Sequence, residues 1–454
     1  MNLKELRSSR FLRDSTTLQV GALCLSAGNL LGLLALTHVL GAQNQGEFYL
    51  AIALYSFLWF LVGMGLYPVT ISHVAKAIAD GKRELVAHWL GYLGKGTFLL
   101  GLVCLALAWF VLPPLVELWF KDSTQDPSQV ARNAGILCLI PLAEVPRVVA
   151  MAGLTGARRM GSLARVENGQ EASRVLLVVV GALATGDARG PVVGLLLASC
   201  VGSLLGLEAW LREARAGYLP GPWTVFKSAR VLPLRAGLKE GLQMGLVRNI
   251  DAFGVQILPT LILGHFGSAR WVAYLRVAQR FTDVVRLMMK GISQTVLPVL
   301  SELRGGRDPA RLRHVYWRAS GLSGLVVGAG LLLSLIVAPT IIERCLPRDF
   351  RDPVWRCLLI LAPGVLVVGF SVANDIFYLV TGTLKVGIWL SVVGLVVNTT
   401  VVALLAWQLP TVGVAMGLSF TFLWSVTHLA YAAWWFHRNL DSARPEGLRG
   451  APSA

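Results

Sequence analysis

Charge is scarce in this chain: Asp, Glu, Lys and Arg make up 15% of 454 residues, against about 25% in an ordinary soluble domain. That deficit excludes a conventional water-facing surface. The acidic side is thinnest, with 25 Asp and Glu against 41 Lys and Arg. Cysteine is also sparse. Four of the six (Cys24, Cys104, Cys138, Cys200) sit inside apolar runs, where Cys behaves as a small buried hydrophobe. A disulfide-rich secreted scaffold is excluded, and Cys345 with Cys357 is the candidate pair, placed to share an external loop. No phosphate-binding Gly-Lys-Ser/Thr loop, zinc spacing, Gly-x-Ser-x-Gly elbow or dinucleotide fingerprint occurs. Gly94-Lys95-Gly96-Thr97 lacks the spacing and strand context of a phosphate loop. ATP-driven transport by this chain alone is disfavoured; no catalytic residue, metal or cofactor is expected.

What fills the chain is apolar sequence. Mean hydropathy is +0.63 and 55% of residues are hydrophobic, with several runs near the roughly 20 residues that cross a bilayer as a helix. The expected fold is an all-α polytopic membrane protein with twelve spans. They lie near 16–38, 47–67, 91–112, 132–153, 164–185, 190–211, 240–263, 271–297, 317–338, 354–380, 386–407 and 411–436. Lys4, Arg7, Arg10 and Arg13 precede an apolar stretch too long for a signal peptide, which reads as an uncleaved first span. With the start inside, the cytoplasmic segments hold 25 Lys and Arg and the external ones 8, as the positive-inside rule requires. The net charge of +16 then reflects cytoplasmic loops facing anionic headgroups rather than nucleic acid.

The two halves repeat at a spacing of 226 residues. Pro113, Glu117, Asp126-Pro127, Thr155-Gly156 and Gly161 recur as Pro339, Glu343, Asp352-Pro353, Thr381-Gly382 and Gly387, 7 identities in 49 positions. Gly41 pairs with Gly267, and Gly190-Pro-Val-Val-Gly194 is echoed by Gly413-Val-Ala-Met-Gly417. Six spans per half is an even number, so both halves enter the bilayer in the same direction. A parallel pseudo-two-fold along the membrane normal follows. The expected organisation is a cytoplasmic N-terminal segment 1–15, an N-lobe 16–212, a basic cytoplasmic linker 213–239, a C-lobe 240–436 and a cytoplasmic tail 437–454. No external loop exceeds roughly 20 residues, which argues against an enzyme with a folded extracytoplasmic domain.

Charges inside spans carry the functional signal. Arg276, Arg280, Asp283, Arg286 and Lys290 fall on span eight; at 100° per residue they occupy about 120° of arc. Val277, Phe281, Val285, Met288 and Ile292 take the opposite face. The ladder rises about 21 Å, and exposing its five groups to lipid costs on the order of 10–15 kcal/mol. It therefore faces a wet cavity or partner charges, or the segment is an amphipathic interfacial helix. Its counterpart in the first half, Phe48 to Val62, is fully apolar, which favours a span. Arg248 and Asp251 stand three apart on span seven, as do Glu144 and Arg147 on span four. Glu167, Glu171 and Arg174 cluster on one face of span five. Such pairs serve as scaffold or as site. Asn374 and Asp375, mid-span, are a candidate cation or proton site.

Gly28-Asn-Leu-Leu-Gly-Leu-Leu-Ala-Leu-Thr-His-Val-Leu-Gly41, Gly46-Glu-Phe-Tyr-Leu-Ala, Gly63-Met-Gly-Leu66, the two Thr-Gly turns and the Gly-rich sixth and twelfth spans carry a family resemblance. Over about 15–435 the chain resembles the polysaccharide (O-antigen, Wzx-type) flippases of the multidrug/oligosaccharidyl-lipid/polysaccharide (MOP) exporter superfamily. The resemblance implies two six-helix lobes forming a V-shaped cleft of alternating access in the inner membrane. It also implies that undecaprenyl-pyrophosphate-linked oligosaccharide crosses through that cleft for O-antigen, exopolysaccharide or capsule assembly. Spans one, two, seven and eight line the cleft in relatives, which makes Arg248, Arg276, Arg280, Arg286 and Lys290 the expected substrate-binding residues. Asp251, Asp283, Glu144 and Arg147 are the expected supporting ion pairs. Membrane lipids are expected partners, with a polysaccharide polymerase and chain-length proteins as candidates. The rivals are a drug/cation antiporter of the same superfamily and a membrane-embedded polysaccharide polymerase or ligase.

Overall fold

In a bilayer every backbone N–H and C=O must be satisfied within its own segment, so a chain this apolar has few options besides helices. Among the described residues of the computed structural model (10–63, 65–120, 126–238, 240–241, 250, 253–302 and 309–442), every regular element is a helix. In order these are α1 Arg10–Val62, α2 Leu66–Ala79, α3 Arg83–Phe110, α4 Leu112–Phe120, α5 Pro127–Leu137, α6 Ile140–Ala143, α7 Val145–Gly156, α8 Met160–Thr185 and α9 Arg189–Arg215. They continue as α10 Pro222–Ser228, α11 Leu258–Phe266, α12 Ala269–Glu302, α13 Pro309–Cys345, α14 Arg348–Gly369, α15 Asn374–Thr381, α16 Leu384–Gln408, α17 Gly413–Leu423 and α18 Ser425–Ser442. The chain divides into two compact units, Met1–Tyr274 and Leu275–Ala454.

Among the described residues, seven helices are long and apolar enough to cross a membrane, or eight when the pair bent by 46° across Pro127–Gly156 is taken as one. The difference from twelve expected spans has local causes. Spans one and two run together in α1, where Gly41 at φ 66° and ψ 175° breaks the helix without ending it. Span four is cut at Pro141 and Pro146 into α5, α6 and α7. Helices α8 and α12 have the length but carry the charges noted above. Residues 242–249 and 251–252 of span seven lie outside the described residues; its described part includes a π-helical turn, Phe253–Ile257, followed by α11 with Pro259 near its start. Pro363 lies within the continuous α14.

The external loop expected near 340–356 is corrected to a short connection: α13 runs to Cys345 and α14 begins at Arg348. The proposed pair does not form, since Cys345 is exposed, Cys357 is buried and both are free.

Helices in lipid associate by close packing rather than by a hydrophobic driving force. The Gly-x-x-x-Gly echo shows this in each unit. A Cβ on Gly190 or Gly194 would overlap the α8 backbone at Gly181 and Leu177. One on Gly413 or Gly417 would strike α16 at Leu405 and Val402. The Thr-Gly repeat likewise ends a helix twice: α7 stops at Gly156, and α15 stops at Thr381 with Gly382 in the left-handed region at φ 74°. The core of the N-terminal unit gathers Val69, Val74, Leu90, Tyr92, Leu93 and Leu154. That of the C-terminal unit is aromatic, built on Tyr316, Phe377, Tyr378 and Phe436.

Candidate functional site

Helix α12 sorts its residues as the 3.6-residue period demands. Val277, Phe281 and Val285 are buried at 0%, 5% and 2% exposure. The charged face opens outward, with the side chains of Arg280, Asp283 and Arg286 at 43%, 39% and 35%. Asp283 lies between two arginines, 3.6 Å from Arg280 Nη1 and 3.8 Å from Arg286 Nη1. Both distances are too long for a tight hydrogen bond, so the arginine forks keep their geometry for other acceptors. Arg286 also lies over the Phe422 ring at 5.3 Å, a cation–π contact that fixes its direction. Arg276 donates to Gln279 Oε1 at 3.2 Å. Three described arginines against one aspartate leave this face cationic. The Lys290 side chain, Arg248 and Asp251 lie outside the described residues.

A second polar centre lies wholly within the N-terminal unit. Pro141 and Pro146 interrupt the helix on either side of Glu144, and Glu144 accepts three hydrogen bonds there. Arg147 Nη2 donates to Oε2 at 2.6 Å, while Gln170 Nε2 and Ser199 Oγ donate to Oε1 at 2.8 and 2.9 Å. Glycines on α9 make the room: a Cβ on Gly202 would press on Gln170 and Arg147, and one on Gly206 on Arg147 Cα. Glu144, Arg147 and Glu167 line a pocket of about 550 Å³ whose other walls include Tyr55, Trp59, Phe60 and Tyr67. The expected Glu144–Arg147 pair is thus present. Charges that the sequence assigns to separate spans, Glu144 and Arg147 on the fourth and Glu167 on the fifth, share one pocket. Beside them Glu171 pairs with Arg174 at 2.6 Å, and Arg174 donates to Asn29 Oδ1 at 3.2 Å. The aromatic lining is not legible from composition, because Tyr55, Trp59 and Phe60 look like any apolar span.

Asn374 is 6% exposed and accepts the Tyr316 hydroxyl at 2.5 Å; the Asp375 side chain lies outside the described residues. Among the described residues no group of three His, Cys, Asp or Glu side chains is placed to hold a metal ion.

Long apolar helices that carry clustered charged side chains define a polytopic membrane protein of the transporter type. The model of the polysaccharide biosynthesis protein family matches residues 17–304, and the chain belongs to that family. The MatE model matches residues 247–404. The chain is similar to an inward-facing multidrug resistance MATE family transporter of the MOP superfamily, with a TM-score of 0.75 at 17% identity over 92% of this chain and 96% of that one. It is also similar to the lipid II flippase MurJ in an inward closed conformation, with a TM-score of 0.66 at 14% identity over 90% and 87%. The probable flippase AglR of Haloferax volcanii is 29% identical over 98 residues, 22% of this chain. That match spans about a fifth (21%) of the relative's own length.

Proposed function

We propose that this protein flips oligosaccharide repeat units linked to undecaprenyl pyrophosphate across the cytoplasmic membrane by alternating access, for surface polysaccharide assembly. Family membership and the relatives named as flippases support a lipid-linked glycan as cargo. The observation that carries the reading is the one-sided cationic face of α12, opposed by the buried Val277, Phe281 and Val285. A pyrophosphate cannot cross about 30 Å of hydrocarbon unaided; planar arginine forks supply charge-assisted, bidentate contacts to it. Arg276, Arg280, Arg286 and Lys290, with Arg248, bind the pyrophosphate, and Asp283 orients Arg280 and Arg286. Asp251 balances Arg248, and Asn374 with Asp375 is the candidate cation or proton site. The chain works in the inner membrane as a transporter rather than an enzyme, beside the polymerase and chain-length proteins that consume its product.

Replacing Arg280 or Arg286 by Ala is expected to abolish glycan export at unchanged protein abundance. Lys at either position rescues partly, because a point charge does not reproduce the planar fork. Asp283→Asn weakens export without abolishing it. Normal surface polysaccharide in all the Ala variants overturns the cationic-face mechanism. The rival drug/cation antiporter, whose fold the MATE structures share, predicts instead that lipophilic cations accumulate in cells lacking the protein while glycan export is untouched.

A further inference from the structure

The α12 face accounts for a pyrophosphate but offers little to sugars. The pocket of the N-terminal unit has the complementary chemistry, and we propose that it is the seat of the glycan's lipid-proximal sugars. This rests on the lipid-linked-glycan reading and adds a second binding site to it.

Sugars present flat C–H faces and a rim of hydroxyls. Recognition therefore needs apolar planes together with donors and acceptors held in fixed positions. Tyr55, Trp59 and Phe60 of α1 and Tyr67 of α2 supply aromatic surface to the pocket, and Glu144, Arg147 and Glu167 supply the polar groups. Its volume of about 550 Å³ falls within the range of about 300–1,000 Å³ usual for small-molecule sites. Glu144 is preorganised: its carboxylate is fixed by Arg147, Gln170 and Ser199. Yet the Glu144 and Arg147 side chains keep 15% and 21% exposure. A carboxylate already balanced by a guanidinium gives acceptors and donors with no net charge between them, which suits a neutral polyhydroxyl ligand. Aromatic rings with carboxylates also describe a pocket for lipophilic cations. Such a ligand draws on uncompensated negative charge; Arg147 has removed it from Glu144, which leaves only the exposed Glu167.

The test compares farnesyl pyrophosphate with farnesyl pyrophosphate carrying a trisaccharide headed by glucose, galactose or N-acetylglucosamine, each titrated onto the full chain in nanodiscs. The best glycosylated probe should bind about tenfold tighter than the bare one, a gain of about 1.4 kcal/mol. Trp59→Ala and, separately, the exposed Glu167→Gln should bring that ratio close to one while bare-probe affinity stays as it was. Arg280→Ala should weaken both probes alike. Persistence of the ratio in both pocket variants places the sugars elsewhere and overturns the proposal. Equal binding of bare and glycosylated probes by the unaltered protein also overturns it, leaving the flippase reading intact. If neither probe binds while tetraphenylphosphonium does, in a manner lost in Trp59→Ala, both readings fall.

Discussion

Three donors converge on the Glu144 carboxylate, and what they hold is costly to release. Removing Glu144 leaves Arg147 without its counter-charge at membrane depth, where breaking a buried pair costs about 3–5 kcal/mol. Glu144→Ala is therefore expected to lower the thermal midpoint sharply. The Glu144→Ala/Arg147→Ala double variant should lose less than the sum of the single losses, as a double-mutant cycle of unfolding would show. Asp126 makes a milder case on the exposed side. It caps α5, accepting the Ser128 hydroxyl at 2.7 Å and the Gln129 N–H at 3.0 Å. The Ser128 hydrogen bond foremost, then that of Gln129, holds its pKa below the usual 3.8. A carboxyl lowered on folding stabilises above its unfolded pKa, and that contribution is lost as pH falls through the folded value. The stability advantage over Asp126→Asn should therefore hold from pH 7 to 5, begin to fall below about 3.8 and be gone once pH drops under the lowered folded value, a small effect because the site is open to solvent. The i,i+3 spacing of Glu144 and Arg147 is readable in the chain; Gln170 and Ser199 are not, because tertiary packing alone brings them there.

At the scale of the element, the basic stretch after α9 is strapped to the helices of the N-terminal unit by side chains reaching its carbonyls. Arg83 Nη2 donates to Gly217 O at 3.0 Å, Trp210 Nε1 to Pro220 O at 2.9 Å, Lys95 Nζ to Leu232 O at 2.6 Å and Tyr92 Oη to Leu234 O at 3.0 Å. Helix α10 comes so close to α3 that a Cβ on Gly91 would lie 2.7 Å from both Val225 O and Ala229 N. Gly91→Val is expected to lift α10 away at a cost of about 1–3 kcal/mol. Faster protease cleavage within 216–238 and a lower thermal midpoint would register it, and unchanged cleavage would show that the strap does not depend on this contact. Charge composition marks this stretch as a linker. It carries no sign of the strap, since Tyr92 and Lys95 read as ordinary residues near the end of a span. By contrast the α12 ladder and the Gly-x-x-x-Gly seams are legible, because helical period and small-residue spacing are local properties.

Across the whole molecule, the internal repeat and the charge bias give separate reasons for one topology. Thr-Gly at 155–156 and 381–382 ends a helix in each unit, and the paired glycines of α9 and α17 each admit a neighbouring helix. The repeat is therefore written in positions where backbone geometry limits the choice of residue, and it survives while the remaining sequence diverges. With the six spans per half that the sequence predicts, the chain returns to the side where it started, and the 25-to-8 excess of Lys and Arg predicts that this side is the cytoplasm. In a background with the native cysteines replaced, Arg230→Cys should react with a membrane-impermeant maleimide only after the inner face is opened. Ser128→Cys, at the start of α5 between the third and fourth expected spans, should react from outside in intact cells. Labelling of Arg230→Cys from outside would put an odd number of crossings before the linker. The six-span half, the parallel repeat and a cytoplasmic entry for the glycolipid would then all fail together.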